Sequence, residues 1–325
     1  MPPVRPRHLV ALLVAAVLAG CAGTQSGGGD TVAVVATTTE VGDFVRAVGG
    51  DAVTVHQILQ PNSDPHDYEP RPADAEAAAG AAVVVESGDG LDEWMRELVD
   101  QAGGDPAVLT IAPDHTPQRV PTGAGDHDDG AGHEHAGAGL DPHWWHDPRN
   151  ARAAVAAIRD TLAEADPAAR ATFAANARRY LAKLRALDAG IARCMGKVPA
   201  GERKLVTSHD AFTYFARRYD ITVVGALFPA QSAQAQPSAG EVARLAAQIR
   251  RERVRAVFPE SSINPKLARA LARQTGARAD LTLYGDSLGP RGSSGDTYLK
   301  MERANADAMV RGFTGGGAGC AIAGL

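Results

Sequence analysis

The chain reads as an α/β protein with two lobes, each a mostly parallel sheet flanked by helices, joined by a long rigid connecting helix. Three observations predict this. Short β-branched runs alternate with helix-period segments in both halves of the chain. Between the halves, from Asn150 to about Cys194, Ala, Leu, Arg and Glu dominate and the pattern is helical throughout. Roughly 295 residues remain after an N-terminal leader and tether, enough for two ordinary lobes with their own cores.

Val32 to Ala36 is a β-branched, apolar strand, and Thr37-Thr38-Thr39 can cap the helix that follows from about Glu40 to Val48. Val53 to Leu59 is the next strand. Pro61 to Pro72 is a rigid, proline-studded loop, followed by a short Ala-rich helix. Strand Ala82 to Val85, helix Leu91 to Gln101 and strand Ala107 to Ile111 complete the first lobe. Asp114 to Gly139 has no apolar periodicity, is dense in Gly, Asp and His, and is expected to be a loop, disordered when unliganded.

In the connecting segment, Asp166 can cap and Pro167 can open a second helix, so one kinked helix or two abutting helices are both compatible with the pattern. The βα alternation then resumes. Strands are expected at Lys204 to Thr207, Ile221 to Val224, Ala256 to Phe258 and Ala279 to Leu283. Helices are expected at Ala211 to Tyr219, Ser238 to Arg251, Pro265 to Thr275 and Thr297 to Gly312, with Asn264 capping ahead of an N1 proline. The organisation is then a leader (1–20), a tether (21–30), an N-terminal lobe (31–148) carrying the loop 114–139, a connecting helix (149–196) and a C-terminal lobe (197–325).

The leader pairs Arg5, Arg7 and His8 with an apolar run from Leu9 to Ala19, which is a secretory signal too short to span a bilayer permanently. Leu18-Ala19-Gly20-Cys21 resembles a bacterial lipobox, in which Cys21 is lipidated and becomes the mature N-terminus. The protein is therefore expected outside the cell interior, anchored to the outer face of the cytoplasmic membrane, with a Gly/Ser-rich tether keeping its body mobile. Charged residues make up 22% and the net charge is −5, which suggests neither a nucleic-acid partner nor a polybasic membrane surface. A monomer is expected. Cys194 and Cys320 are the two remaining cysteines, and in an oxidising compartment they are expected to form a disulfide.

Four candidate metal ligands each follow a strand, two in each half: His66, His143, His209 and Asp286. In open parallel sheets ligands bind beyond the carboxyl ends of strands, so all four fall on the side where a ligand is expected and should converge on one point. Three neutral imidazoles and one carboxylate suit tetrahedral Zn²⁺. Each residue has a plainer alternative: a turn residue for His66 and Asp286, a position at a helix start for His209. His146 rivals His143, and Glu260 is a rival carboxylate. His56, inside a strand, reads as a packed or edge residue.

At these residues the chain resembles the zinc and manganese group of metal-specific solute-binding lipoproteins of bacterial ABC transporters. The resemblance is carried by Pro61-Asn62-Ser63-Asp64-Pro65-His66-Asp67-Tyr68-Glu69-Pro70, by Asp141-Pro142-His143-Trp144 and by Thr207-Ser208-His209-Asp210-Ala211-Phe212-Thr213-Tyr214-Phe215. Phe258 to Pro265 and Tyr284 to Gly289 follow in the family's order. It implies two lobes, a rigid connecting helix, a metal held in the cleft by His66, His143, His209 and Asp286, and a permease with its ATPase as partners. Manganese members of the family typically place a carboxylate at the third position, where this chain has His209. That favours Zn²⁺ as the transported ligand, with Mn²⁺ as the alternative.

The segment Asp126 to His135 is similar to the His-rich loop of zinc-binding members, with His127, His133 and His135 as an accessory metal loop; the other reading is a solvated linker. A metal-dependent hydrolase using Glu260 as base competes with the receptor reading, but the chain has no His-Glu-x-x-His motif. A closed shell of four protein ligands fits capture, because a catalytic zinc keeps a position open. A surface adhesin is a third class, and no large sticky patch marks it.

Overall fold

A computed structural model describes residues 31–122, 139–228 and 237–324. The leader, Cys21, His127, His133 and His135 lie outside the described residues. In the N-terminal half, β1 (Val32–Ala36), β2 (Val53–Gln57), β3 (Val83–Gly88) and β4 (Ala107–Ala112) form one sheet in the order β2-β1-β3-β4. All its pairings are parallel. The crossovers are α1 (Thr39–Gly49), α2 (Pro72–Ala79) and α3 (Trp94–Ala102). Thr38 caps α1 by accepting from the Val41 amide, as the threonine run suggests.

In the C-terminal half, β5 (Lys204–His209) pairs in parallel with β6 (Thr222–Phe228). The expected strands at 256–258 and 279–283 are shorter than anticipated and pair only through single parallel bridges: Thr207 with Phe258, Ala256 with Arg278, and Glu260 with Leu283. Pro259 has no amide hydrogen to continue the ladder there. These bridges still place 256–260 on the far side of β5 from β6, with 278–283 beyond. In chain order both sheets therefore run second, first, third, fourth. The helices of this half are α6 (Thr213–Tyr219), α7 (Ala239–Glu252), α8 (Lys266–Thr275) and α9 (Tyr298–Phe313).

The connecting element is two helices rather than one. α4 (Pro148–Ala165) starts on Asp147, which caps Arg149 with Pro148 at the first position. It ends at Asp166, whose extended backbone stops it and whose Oδ1 accepts from Ala168 and Ala169. α5 (Arg170–Met195) then packs back along α4. At ~1.5 Å per residue the longer of the two spans about 39 Å, well short of a single straight rod through the whole segment.

Each sheet has an outer apolar cluster, around Val84 and Met95 in one and Val206, Leu245 and Ile249 in the other. A third, larger cluster runs through both halves, joining β1 and α1 to α4, α5, α6 and α9 around the fully buried Phe44, Trp144, Trp145 and Tyr298. Each buried tryptophan removes about 150–250 Å² from water, worth roughly 4–6 kcal/mol before entropy. The inner faces of the two lobes are thus one shared core, and residues 31–325 form one compact unit.

The loop expected over 114–139 is fastened at its base. Pro121 bridges Leu140, Thr122 N–H donates to Gly139 O at 2.9 Å, and Val120 is buried. His56 sits on edge strand β2 with its side chain 46% exposed, 3.7 Å from Asp74, and joins no metal-like cluster among the described residues.

Candidate metal centre

Four side chains that follow strands or bridged segments meet at one point. His66 lies in a single 3-10 turn, Pro65–Asp67, in the loop after β2. His143 immediately precedes a second such turn, Trp144–His146, after the loop from β4. His209 is the last residue of β5, and Asp286 follows the bridged segment that ends at Leu283. Each of the four offers one ligand atom, and these atoms all lie within 4.8 Å of one another. His66 Nε2 is 3.3 Å from His143 Nε2. Asp286 Oδ1 is 3.2 Å from His143 Nε2 and 2.9 Å from His209 Nε2. Tetrahedral Zn²⁺ with ~2.1 Å bonds spaces its donors about 3.4 Å apart, so these three pairs fit such an ion with shifts of about half an ångström or less. His143, His209 and Asp286 are buried and His66 is half-buried, so His66 is the candidate ligand nearest solvent.

The tripeptide Asp-Pro-His occurs twice, at 64–66 and 141–143, and folds the same way both times. Asp64 Oδ1 accepts from the His66 amide at 3.0 Å, and Asp141 Oδ1 from the His143 amide at 2.9 Å. Asp141 Oδ1 also lies 2.7 Å from His143 Nδ1. Glu260 repeats that role for His209. Its Oε1 accepts the His209 amide at 2.9 Å and its Oε2 stands 2.7 Å from Nδ1; the latter is an ion-pair approach not aligned as a hydrogen bond. A carboxylate on Nδ1 fixes the tautomer that leaves Nε2 free to ligate. Gly285 makes this possible: a Cβ there would strike the Glu260 carboxylate.

Electrostatics divides the three imidazoles. Burial lowers the His66 pKa to about 4, aided by the nearby His143 charge. Burial also acts against a charged His143, but the Asp141 and Asp286 carboxylates outweigh it and raise it to about 9. His209 goes well above its ordinary value for the same reason, with Asp286 and Glu260 outweighing its burial. Asp286, though buried, is held well below the usual carboxylate range by His209 and His143.

The two rivals weighed from the sequence are not in the cluster. Glu260 orients His209. His146 turns away from His143, with Nδ1 2.7 Å from Glu302 Oε1 and Nε2 3.0 Å from Gly285 O. Sequence reasoning missed the orienting role of Asp141, for which the Asp-Pro-His repeat was the available signal. It also missed Glu40, fully buried on α1 beside Thr39, for which a helix-start acid gave no warning.

Residues 34–312 match the family described as zinc-uptake complex component A, periplasmic. The chain belongs to this family. Its members are substrate-binding components of ABC transporters that work with a permease and an ATPase, and they are not enzymes. Among relatives, the manganese-binding lipoprotein MntA of Halalkalibacterium halodurans is 30% identical over 308 residues, covering 94% of this chain and 97% of that one. The iron-binding protein YfeA of Yersinia pestis is 32% identical over 280 residues, 86% of each chain. The solved structure of the periplasmic zinc-binding protein TroA from Treponema pallidum superposes with a TM-score of 0.77 at 29% identity, covering 87% of this chain and 99% of that one. The family fold is thus the two-lobed α/β arrangement seen here, and the family's relatives are named for manganese, iron and zinc.

Proposed function

We propose that the protein captures Zn²⁺ at His66, His143, His209 and Asp286 and delivers it to its ABC permease. The observation that carries this is the convergence of three Nε2 atoms and one carboxylate oxygen from segments that follow strands in both halves. Three imidazoles suit zinc better than they suit Mn²⁺, which prefers a harder, oxygen-rich shell of higher coordination number. Manganese is the second reading, favoured by the relationship to MntA.

In this proposal Cys21 carries the lipid that anchors the body to the outer face of the cytoplasmic membrane, and the body acts as a monomer. Relatives named as lipoproteins support the anchor, and among the described residues no helix is long and apolar enough to cross a membrane. His127, His133 and His135 would collect ions for the site without closing it. The test is a calorimetric titration with Zn²⁺ and Mn²⁺ in competition. Tighter Zn²⁺ binding that is lost in His209→Ala supports the reading; tighter Mn²⁺ binding would replace zinc with manganese, and failure to bind either ion would remove it.

A further inference from the structure

We propose that His146 is a positioning residue for the metal centre, paired with Glu302 on α9 and bonded to Gly285, so that it sets the place of Asp286 from the opposite half of the molecule. The proposal rests on the metal-receptor reading and adds to it residues that touch no metal.

The ring of His146 is fully buried, and both its nitrogens and one of its faces are held. A carbonyl oxygen can only accept, so Nε2 carries the hydrogen that reaches Gly285 O at 3.0 Å. Nδ1 and Glu302 Oε1, 2.7 Å apart, share one further proton between them. One ring face stacks on Phe212 at 4.4 Å between centroids and 28° between planes. Gly285 O takes a second bond, from Trp145 Nε1 at 3.1 Å. Trp145 is itself held, because its carbonyl accepts from Tyr298 OH at 2.6 Å.

Tyr298 and Glu302 are four residues apart and therefore on one face of α9. That face grips Trp145 and His146, which both grip the carbonyl immediately before Asp286. On the other side of Asp286, the Leu288 amide donates to Thr39 Oγ1 at 2.8 Å. The short segment that supplies the fourth ligand belongs to the C-terminal half by chain order, yet residues of the N-terminal half hold both its ends. The same turn that presents His143 thus also places Asp286.

A buried histidine and carboxylate are a poor source of stability, since well-packed apolar residues of similar volume often do as well or better. What they supply here is direction for one carbonyl. Removing an outer partner of a metal site typically costs about 10–100-fold in affinity, and that loss should appear only while Asp286 is present to be misplaced.

The experiment is a double-mutant cycle on the full chain with Zn²⁺ competition and Co²⁺ absorption as readouts. His146→Leu with Glu302→Leu, which leaves no buried group unpaired, should weaken Zn²⁺ binding about 10–100-fold and change the Co²⁺ ligand-field spectrum. In an Asp286→Ala background the same pair should cost less than about threefold, the cycle's sign of action through Asp286. Glu302→Gln, whose amide still bonds Nδ1, should stay within about threefold of wild type, since that contact survives. Trp145→Phe keeps an aromatic ring but drops the other donor to Gly285 O, and should show the same dependence on Asp286 should the leucine pair not fold. Equal losses in both backgrounds, or no loss in the wild-type background, would overturn the proposal. A wild-type protein that binds neither ion would instead overturn the metal-receptor reading, and this proposal with it.

Discussion

Oδ1 of Asp286 lies 2.9 Å from Nε2 of His209, close enough for the carboxylate to hold a proton on the ring that must give it up to a metal. His143, raised to about 9, and His209, raised well above the ordinary imidazole value, both carry that proton at pH 7. His66, lowered to about 4, does not. Zinc uptake at neutral pH is therefore expected to release up to about two protons. Affinity should fall as pH drops from about 9, a window higher than the loss below about pH 6 that unperturbed imidazoles would give. Titration in buffers of different ionisation enthalpy counts the protons, and a dissociation constant flat from pH 9 to 5.5 would contradict histidine ligation.

Glu40 should make the protein less stable at alkaline pH. Burial raises its pKa from 4.5 to about 8, against the opposing hydrogen bonds from its own backbone and Thr39, and the Asp286 and Asp43 charges add to the rise. Its Oε1 has no hydrogen-bond partner among the described residues. The folded state thus holds a proton that the unfolded state has released, so the contribution is complete below about 4.5 and is lost as pH rises through about 8. Glu40→Gln should raise the melting temperature at pH 8 and leave it little changed at pH 4.5, because each tenfold difference in proton affinity between folded and unfolded chains is worth about 1.4 kcal/mol. An equal effect at both pH values would show that Glu40 does not titrate in this way.

Three variants should rank by their distance from the ion. His209→Ala removes a ligand and should cost well over ~100-fold in zinc affinity, beyond the ~10–100-fold range of an outer partner. Glu260→Gln keeps the fold but loses the charge beside His209 Nδ1, and should fall within that range. Deletion of 126–135 should leave the equilibrium constant nearly unchanged. A deletion as costly as His209→Ala would mean that the loop contributes a primary ligand.

Cys194 and Cys320 form a disulfide with Cα atoms 5.4 Å apart and a sequence separation of 126. It ties the end of α5 to the tail beyond α9. The chain-entropy estimate for such a loop is roughly 4–5 kcal/mol. Cys194→Ser with Cys320→Ser should lower stability by up to that amount while zinc affinity stays within about twofold, because neither cysteine is one of the four candidate ligands. A matching loss of affinity would mean that the tail supports the metal centre.

Much of the site was legible because its signals are local. Each candidate ligand follows a strand, and the carboxyl ends of parallel strands are where such sheets bind, so the neighbourhoods of His66, His143, His209 and Asp286 could be marked without knowing how the halves meet. The break at Asp166-Pro167 was legible too, since a proline cannot continue a helix, but not that α5 would fold back along α4. That depends on an apolar face shared with α1 and α9, whose partners lie far away in the chain.

His146 and Glu260 mark the boundary most clearly. The sequence by itself determined the α/β alternation, the caps, the pair of cysteines and a set of candidate ligands, because hydrophobic period, turn chemistry and residue type act over a few residues. Residue type and position left His146 against His143, three positions apart, and Glu260 against Asp286 unranked, and only the family resemblance chose between them. The tertiary structure decided both. It brought Glu302 and Gly285 O to His146 and left His143 facing the centre; it set Glu260 on the Nδ1 side of His209 and Asp286 on the Nε2 side. Which nitrogen a carboxylate reaches depends on distances of a few ångströms between segments 51 to 156 residues apart, and only the packed core fixes those.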